Sequence, residues 1–288
     1  MMHDFPTLRT AVIALLLPAA LSFLSGCGTN VQAATPLNPS QPESAQNTHW
    51  GTGKYLPDST ISPSHLEAPP PTSPTPTPVG TGSYDFSQPV PASEAVDLSY
   101  FDDAIFIGNS RTEGFRLYAG PKEAQYFTSI GLMVNTIFSQ PLPQEDGRNI
   151  PIMEAVADAS FSKVYIMLGT NELGWAHGAV FQEKYGQIID EIQRTHPQAQ
   201  IYIQSILPVT QQRDSSDSIY NNQKIREYNG LLQELAQQKQ VYYVNTAECV
   251  ADSNGILPAD SAFDGIHLKP EACQRWLEYL CTHTVPQP

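Results

Sequence analysis

Ser110, Gly131, Asn171 and the pair Asp264/His267 occur in that chain order, each in a loop that follows an apolar run or precedes the last amphipathic segment. A Ser hydroxyl becomes a useful nucleophile only when a base takes its proton, and His is the side chain whose ordinary pKa suits that task near neutrality. The imidazolium so formed needs a carboxylate to fix its tautomer and offset its charge; Asp264 stands three residues before His267, within reach through a single turn. Charge developing on a substrate oxygen needs donors, and the main-chain N–H groups of Ser110 and Gly131 with the Asn171 amide could supply them. These residue types define acyl transfer, with Ser110, Asp264 and His267 as catalytic groups and Ser110, Gly131 and Asn171 as an oxyanion hole.

Each element also has a purely structural reading. Ser110, Arg111, Thr112 and Glu113 match a capping box. Gly131 could simply end a strand, Asn171 cap a helix, and Asp264 with Gly265 form a turn. It is their joint occurrence in this order that favours chemistry. Around them stand candidate pocket residues. Arg111 could hold a carboxylate or a sugar oxygen, or pair with Glu113; Trp175 could stack on a sugar face or pack internally; Asn109, Glu172 and His177 adjoin the same loops. The polar segment 208–222 is long enough to be a lid or specificity loop.

Strand and helix patterns alternate to position these loops. Ala104–Ile107 is a short apolar run closed by Gly108, of the kind buried on both faces of a parallel sheet. Further strands are expected over 125–130, 163–168, 201–207 and 241–244. Helices are expected over 151–159, through the spaced apolar residues Val180 to Ile192, through Ile225 to Leu235, and from Pro270 onward. The alternation predicts one α/β domain, from residue 97 to 288, with a parallel sheet between helices.

The blocks FIGNSRTEG, SIGL, LGTNE and FDGIHL resemble the four blocks of the SGNH, or GDSL-type, hydrolases. The resemblance spans about residue 100 to 283 and implies a three-layer α/β/α fold of flavodoxin-like type with five parallel strands. It assigns Ser110 as nucleophile, Gly131 and Asn171 as oxyanion donors, and Asp264 and His267 as acid and base partners. Two departures stand out. Asn109 occupies a place usually held by Asp, which removes a charge near His267, and Glu172 stands where Asp is common. Thr112, two residues after Ser110, breaks the G-x-S-x-G elbow of the α/β-hydrolases.

The 288-residue chain carries a formal net charge of −14, which argues against nucleic-acid partners. Residues 1–26 read as an export leader, with Arg9 before an apolar core from Ala11 to Leu24 that is short for a membrane span. Leu24-Ser25-Gly26-Cys27 resembles the lipobox of bacterial lipoproteins, which implies a lipidated Cys27 and membrane attachment. Thirteen of the 25 prolines fall between Gly28 and Ala95, so 27–96 reads as a Pro/Ser/Thr-rich tether. Of the other cysteines, Cys273 and Cys281 lie eight residues apart on one expected helix, too far for a disulfide. Cys249 could pair with either, or all three could be core residues. No Cys or His pair has metal-ligand spacing, and neither metal nor cofactor is expected.

The expectation is an extracytoplasmic, lipid-anchored serine esterase acting on a small acyl ester or acetylated glycan. The rivals are a non-catalytic glycan-binding domain on the same fold, and a lysophospholipase or thioesterase of the same family. A flavodoxin-like phosphate site is disfavoured because the Gly108 loop lacks a Gly-rich cradle and a nearby Lys.

Overall fold

The computed structural model describes residues 84–144 and 147–286. The expected leader, Cys27 and the tether as far as residue 83 lie outside the described residues. In chain order the elements are β1 (Ala104–Gly108), α1 (Ser110–Tyr118), β2 (Gln125–Thr128), β3 (Pro141–Pro143), β4 (Asn149–Pro151), α2 (Ile152–Asp158), β5 (Lys163–Met167), α3 (Gly178–Thr195), β6 (Gln200–Gln204), α4 (Gln211–Ser216), α5 (Asn222–Lys239), β7 (Tyr242–Val244) and α6 (Pro270–Thr282).

Five strands form one parallel sheet in the order β2-β1-β5-β6-β7. Residues of β1, β5 and β6 alternate between two cores, as the pleat requires. Ile105, Ile107, Val164, Ile166, Ile201 and Ile203 meet α2, α3 and α5 on one face. Ala104, Phe106, Tyr165, Met167 and Tyr202 meet α1 and α6 on the other. The result is the three-layer α/β/α arrangement expected. On the α1/α6 face an aromatic ladder crosses all five strands in register, through Tyr126, Phe106, Tyr165, Tyr202 and Tyr242. Successive ring centroids are 5.2, 5.0, 4.6 and 5.0 Å apart, at stacking distance.

Four details depart from the sequence expectations. β2 ends at Thr128, and residues 129–132 turn instead, with the Leu132 N–H donating to Ser129 O at 3.1 Å. β6 stops at Gln204 because side chains replace the ladder beyond it: Asn229 brackets Ile206 at 2.7 and 2.9 Å, and Asn222 brackets Val209 at 2.9 and 3.0 Å. A small antiparallel pair, β3 with β4, precedes α2. The domain boundary expected at residue 97 falls too late. Val90 is buried, its N–H donates to Tyr243 O at 2.8 Å, and Ser93 and Val96 donate to Thr282 O and Cys281 O at 2.6 and 2.9 Å. Tyr84 sets its ring edge-on against Tyr242 at 4.9 Å. A proline-rich composition concealed these few apolar anchors.

Cys249, Cys273 and Cys281 are all free thiols. No described helix is long and apolar enough to cross a membrane.

Candidate active site

The turn after β1 is built for close approach. A Cβ on Gly108 would lie 2.0 Å from Thr112 Oγ1 and 2.9 Å from Met167 O, so only glycine fits. Asn109 then caps α1, its Oδ1 accepting the Arg111 N–H at 3.0 Å. The capping-box reading is thereby corrected: Asn109, not Ser110, is the cap, and Glu113 bonds Arg116 and Thr128 instead. The Ser110 hydroxyl is left for other partners. Its main-chain N–H, in the first helical turn, has no intrahelical acceptor.

Ser110 Oγ lies 2.9 Å from His267 Nε2, and His267 Nδ1 lies 2.7 Å from Asp264 Oδ2. With the Nδ1 proton donated to Asp264, Nε2 is left to accept from the Ser110 hydroxyl. The other Asp264 oxygen accepts the N–H groups of Ile266 and His267 at 3.0 and 2.8 Å. Burial works to raise the Asp264 pKa, but these hydrogen bonds outweigh it and hold the carboxyl below its usual value, as an anion. The turn depends on Gly265, at φ +87, where a Cβ would lie 2.7 Å from Thr210 Oγ1. Pro270 opens α6 three residues after His267.

Gly131 and Asn171 occupy the loops after β2 and β5, the two strands that flank β1. Gly131 is in the left-handed region at φ +76. Asn171 Nδ2 donates to Leu132 O at 2.9 Å, which ties the two loops together and leaves its second N–H for another acceptor. Three adjacent strand ends therefore converge with the Asp264–His267 turn, an arrangement able to generate a serine nucleophile beside a set of N–H donors.

Of the five candidate pocket residues, three are corrected. Asn109, Arg111 and Glu172 are all buried and cannot line an open pocket. Arg111 neither holds a free anion nor pairs with Glu113; it donates to Leu207 O at 2.8 Å and Pro208 O at 3.0 Å. Glu172 accepts the Val134 N–H at 2.7 Å, and burial pushes its pKa up to about 7 against the opposing main-chain donors. Trp175 is half-buried against the α3/α5 core, and His177 is exposed at the N-cap of α3, where it makes no side-chain cap bond.

The space beside Asp264 is shaped by the 208–222 segment, expected as a lid or specificity loop, and by Phe263, which sequence reading missed. A cavity of about 340 Å³ is lined there by Thr210, Gln212, Arg213, Ser216 and Phe263, among others. The exposed Phe263 stands directly before Asp264, and that adjacency was the available signal. The segment expected as a lid carries α4 and is fastened to the domain, with Thr210 N–H donating to Gly265 O at 3.0 Å and Leu257 N–H to Val209 O at 3.2 Å. Among the described residues no group of three or more His, Cys, Asp or Glu could hold a metal ion.

Residues 106–275 match the model of the GDSL-like lipase/acylhydrolase family. The chain belongs to this family and is a hydrolase of carboxylic esters. Comparison with curated proteins gives no match. Among solved structures it is similar to a Streptococcus pneumonia protein provisionally named a platelet activating factor, with 22% identity and a TM-score of 0.50 over 64% of this chain and 88% of that one. A GDSL-like lipase from Bacteroides thetaiotaomicron has 17% identity and a TM-score of 0.47 over 64% and 85%. A carbohydrate acetylesterase from Sinorhizobium meliloti has 16% and 0.44 over 62% and 96%. The first of these likenesses supports the SGNH hydrolase fold.

Proposed function

We propose that this hydrolase removes a small acyl group, acetyl foremost, from a carbohydrate or cell-envelope ester through an acyl-enzyme on Ser110. The unbroken line from Ser110 Oγ through His267 to Asp264, at 2.9 and 2.7 Å, carries the reading. His267 Nε2 takes the hydroxyl proton as Ser110 Oγ attacks the ester carbonyl. The tetrahedral oxyanion is met by the N–H groups of Ser110 and Gly131 and by the free N–H of Asn171. Collapse expels the alcohol, which receives the proton from His267. Water, deprotonated in turn by His267, then attacks the acyl-serine and releases the carboxylic acid. Asp264 remains ionised throughout and holds the imidazole in its working tautomer.

The polar lining beside Asp264, with Thr210, Gln212, Arg213 and Ser216, supports a hydroxyl-rich alcohol such as a sugar. A lipidated Cys27 would place the enzyme outside the cytoplasm on a tether; metabolic labelling with palmitate, abolished by Cys27→Ser, tests that part. A longer-acyl reading draws on Ile130, 79% exposed beside Gly131, and on Phe263.

The deciding experiment compares 4-nitrophenyl acetate, butyrate and octanoate with the chain from Tyr84 and its Ser110→Ala variant. Acetate turnover that disappears with Ser110 supports the proposal, and a preference for octanoate moves the substrate to longer acyl chains. A folded protein with no more turnover than the variant, and no organophosphate adduct on Ser110, leaves the non-catalytic glycan-binding reading.

A further inference from the structure

The residue after the nucleophile, Arg111, carries a charge that takes no part in the ester hydrolysis. Arg111 is 2% exposed. Its Nη1 and Nη2 donate to Leu207 O and Pro208 O, and its Nε has no hydrogen-bond partner. Among the described residues no carboxylate is bonded to it. A buried cation with no carboxylate bonded to it is costly, and its place in the core calls for a use.

Two observations indicate that use. The carbonyls it grips begin the buried segment Leu207–Thr210, and Thr210 receives the Asp264–Gly265 turn: its N–H donates to Gly265 O at 3.0 Å, and its Oγ1 fills the space beside Gly265. Arg111 thus links the nucleophile turn to the support of the acid–base loop. The titratable groups that face it are Asp264 from that loop and Cys273 from α6. Burial lowers the Arg111 pKa to about 10, with Asp264 and Cys273 opposing, which leaves it cationic at neutral pH.

We propose that Arg111 is a positioning residue for the Asp264–His267 pair, fastening the nucleophile turn to the Leu207–Thr210 segment and keeping a positive charge behind Asp264. The inference rests on the catalytic reading of Ser110, Asp264 and His267. A cation at this place disfavours proton uptake by the pair as a unit, and so keeps the base in its working form at lower pH.

The test measures kcat/KM against pH for wild type, Arg111→Met and Arg111→Lys, with the His267 imidazole followed by NMR titration and folding checked by near-ultraviolet circular dichroism. Met removes both grip and charge: kcat should fall about 10- to 100-fold, and the acid limb of the profile should move to higher pH. Lys keeps the charge and can reach one carbonyl, so its acid limb should stay in place while kcat falls less. An unmoved acid limb in a folded Met variant overturns the proposal. Should the Met variant fail to fold, a Lys variant with unchanged kcat, or with a displaced acid limb, overturns it. Loss of the underlying catalytic reading is seen separately, as wild-type turnover that survives Ser110→Ala.

Discussion

Glu172 accepts the main-chain N–H of Val134 at 2.7 Å, which fastens the turn after β5 to the loop that carries Gly131. Its other carboxyl oxygen is buried without a hydrogen-bond partner. Burial raises its pKa from an ordinary 4.5 to about 7, so the folded protein retains a proton that the unfolded chain has already released in this interval. Stability from the protonated carboxyl is complete below pH 4.5 and is lost as pH rises towards 7, to a total of about 3 kcal/mol at about 1.4 kcal/mol per unit. Glu172→Gln keeps an acceptor without the titration. Its urea midpoint should change less than that of wild type across this window.

Asn171→Ala removes one N–H donor from the proposed oxyanion hole. The expected result is a loss of about 100- to 1,000-fold in kcat with KM nearly unchanged, because such a donor acts mainly in the transition state. A comparable rise in KM with kcat preserved would place Asn171 in ground-state binding instead.

Asp264→Asn should lower kcat by about 10,000-fold at neutral pH, since an amide can present its N–H to His267 and stabilise the wrong tautomer. Steady-state rates of the folded variant beside Ser110→Ala check this. Only a small loss would remove Asp264 from the proposed triad.

Gly265→Ala adds a Cβ at φ +87, 2.7 Å from Thr210 Oγ1. The strained backbone should cost about 1–3 kcal/mol in chemical denaturation and displace the Asp264 turn, so activity should fall with stability.

A chain beginning at residue 97 lacks Val90, which is 2% exposed and belongs to the core on the α1/α6 face. It should unfold at lower urea than a chain beginning at Tyr84, by about 2 kcal/mol or more, because a buried apolar side chain and its hydrogen bonds are lost together. Equal midpoints would mean that the segment adds no stability.

The residues that announced themselves in sequence were those whose neighbours left few alternatives. Gly108 closing an apolar run, and Asp264 three residues before His267, each constrain the backbone locally, and local constraint is legible. Burial of charge is not. Arg111 and Glu172 sit in polar-looking stretches of sequence, and their partners, Leu207, Pro208 and Val134, are distant in the chain. The β3/β4 pair escaped notice because Pro141, Pro143 and Pro151 signal turns, although proline is tolerated at strand edges and ends. Asn109 illustrates a finer difficulty. Asn109 and Ser110 could each cap α1, and only the folded turn assigns the cap to the Asn109 amide oxygen and leaves the Ser110 hydroxyl free.

The segment before residue 97 also determines how the domain would bear mechanical load. Val90 is held by β7, the edge strand, and Ser93 and Val96 are held by the end of α6. Force applied to the chain upstream of Tyr84 would enter the fold at that edge, with β6 and β5 between it and the strand that delivers Ser110. Those edge hydrogen bonds would act as a strain relief: they would yield first, before tension could reach the strand that sets the nucleophile.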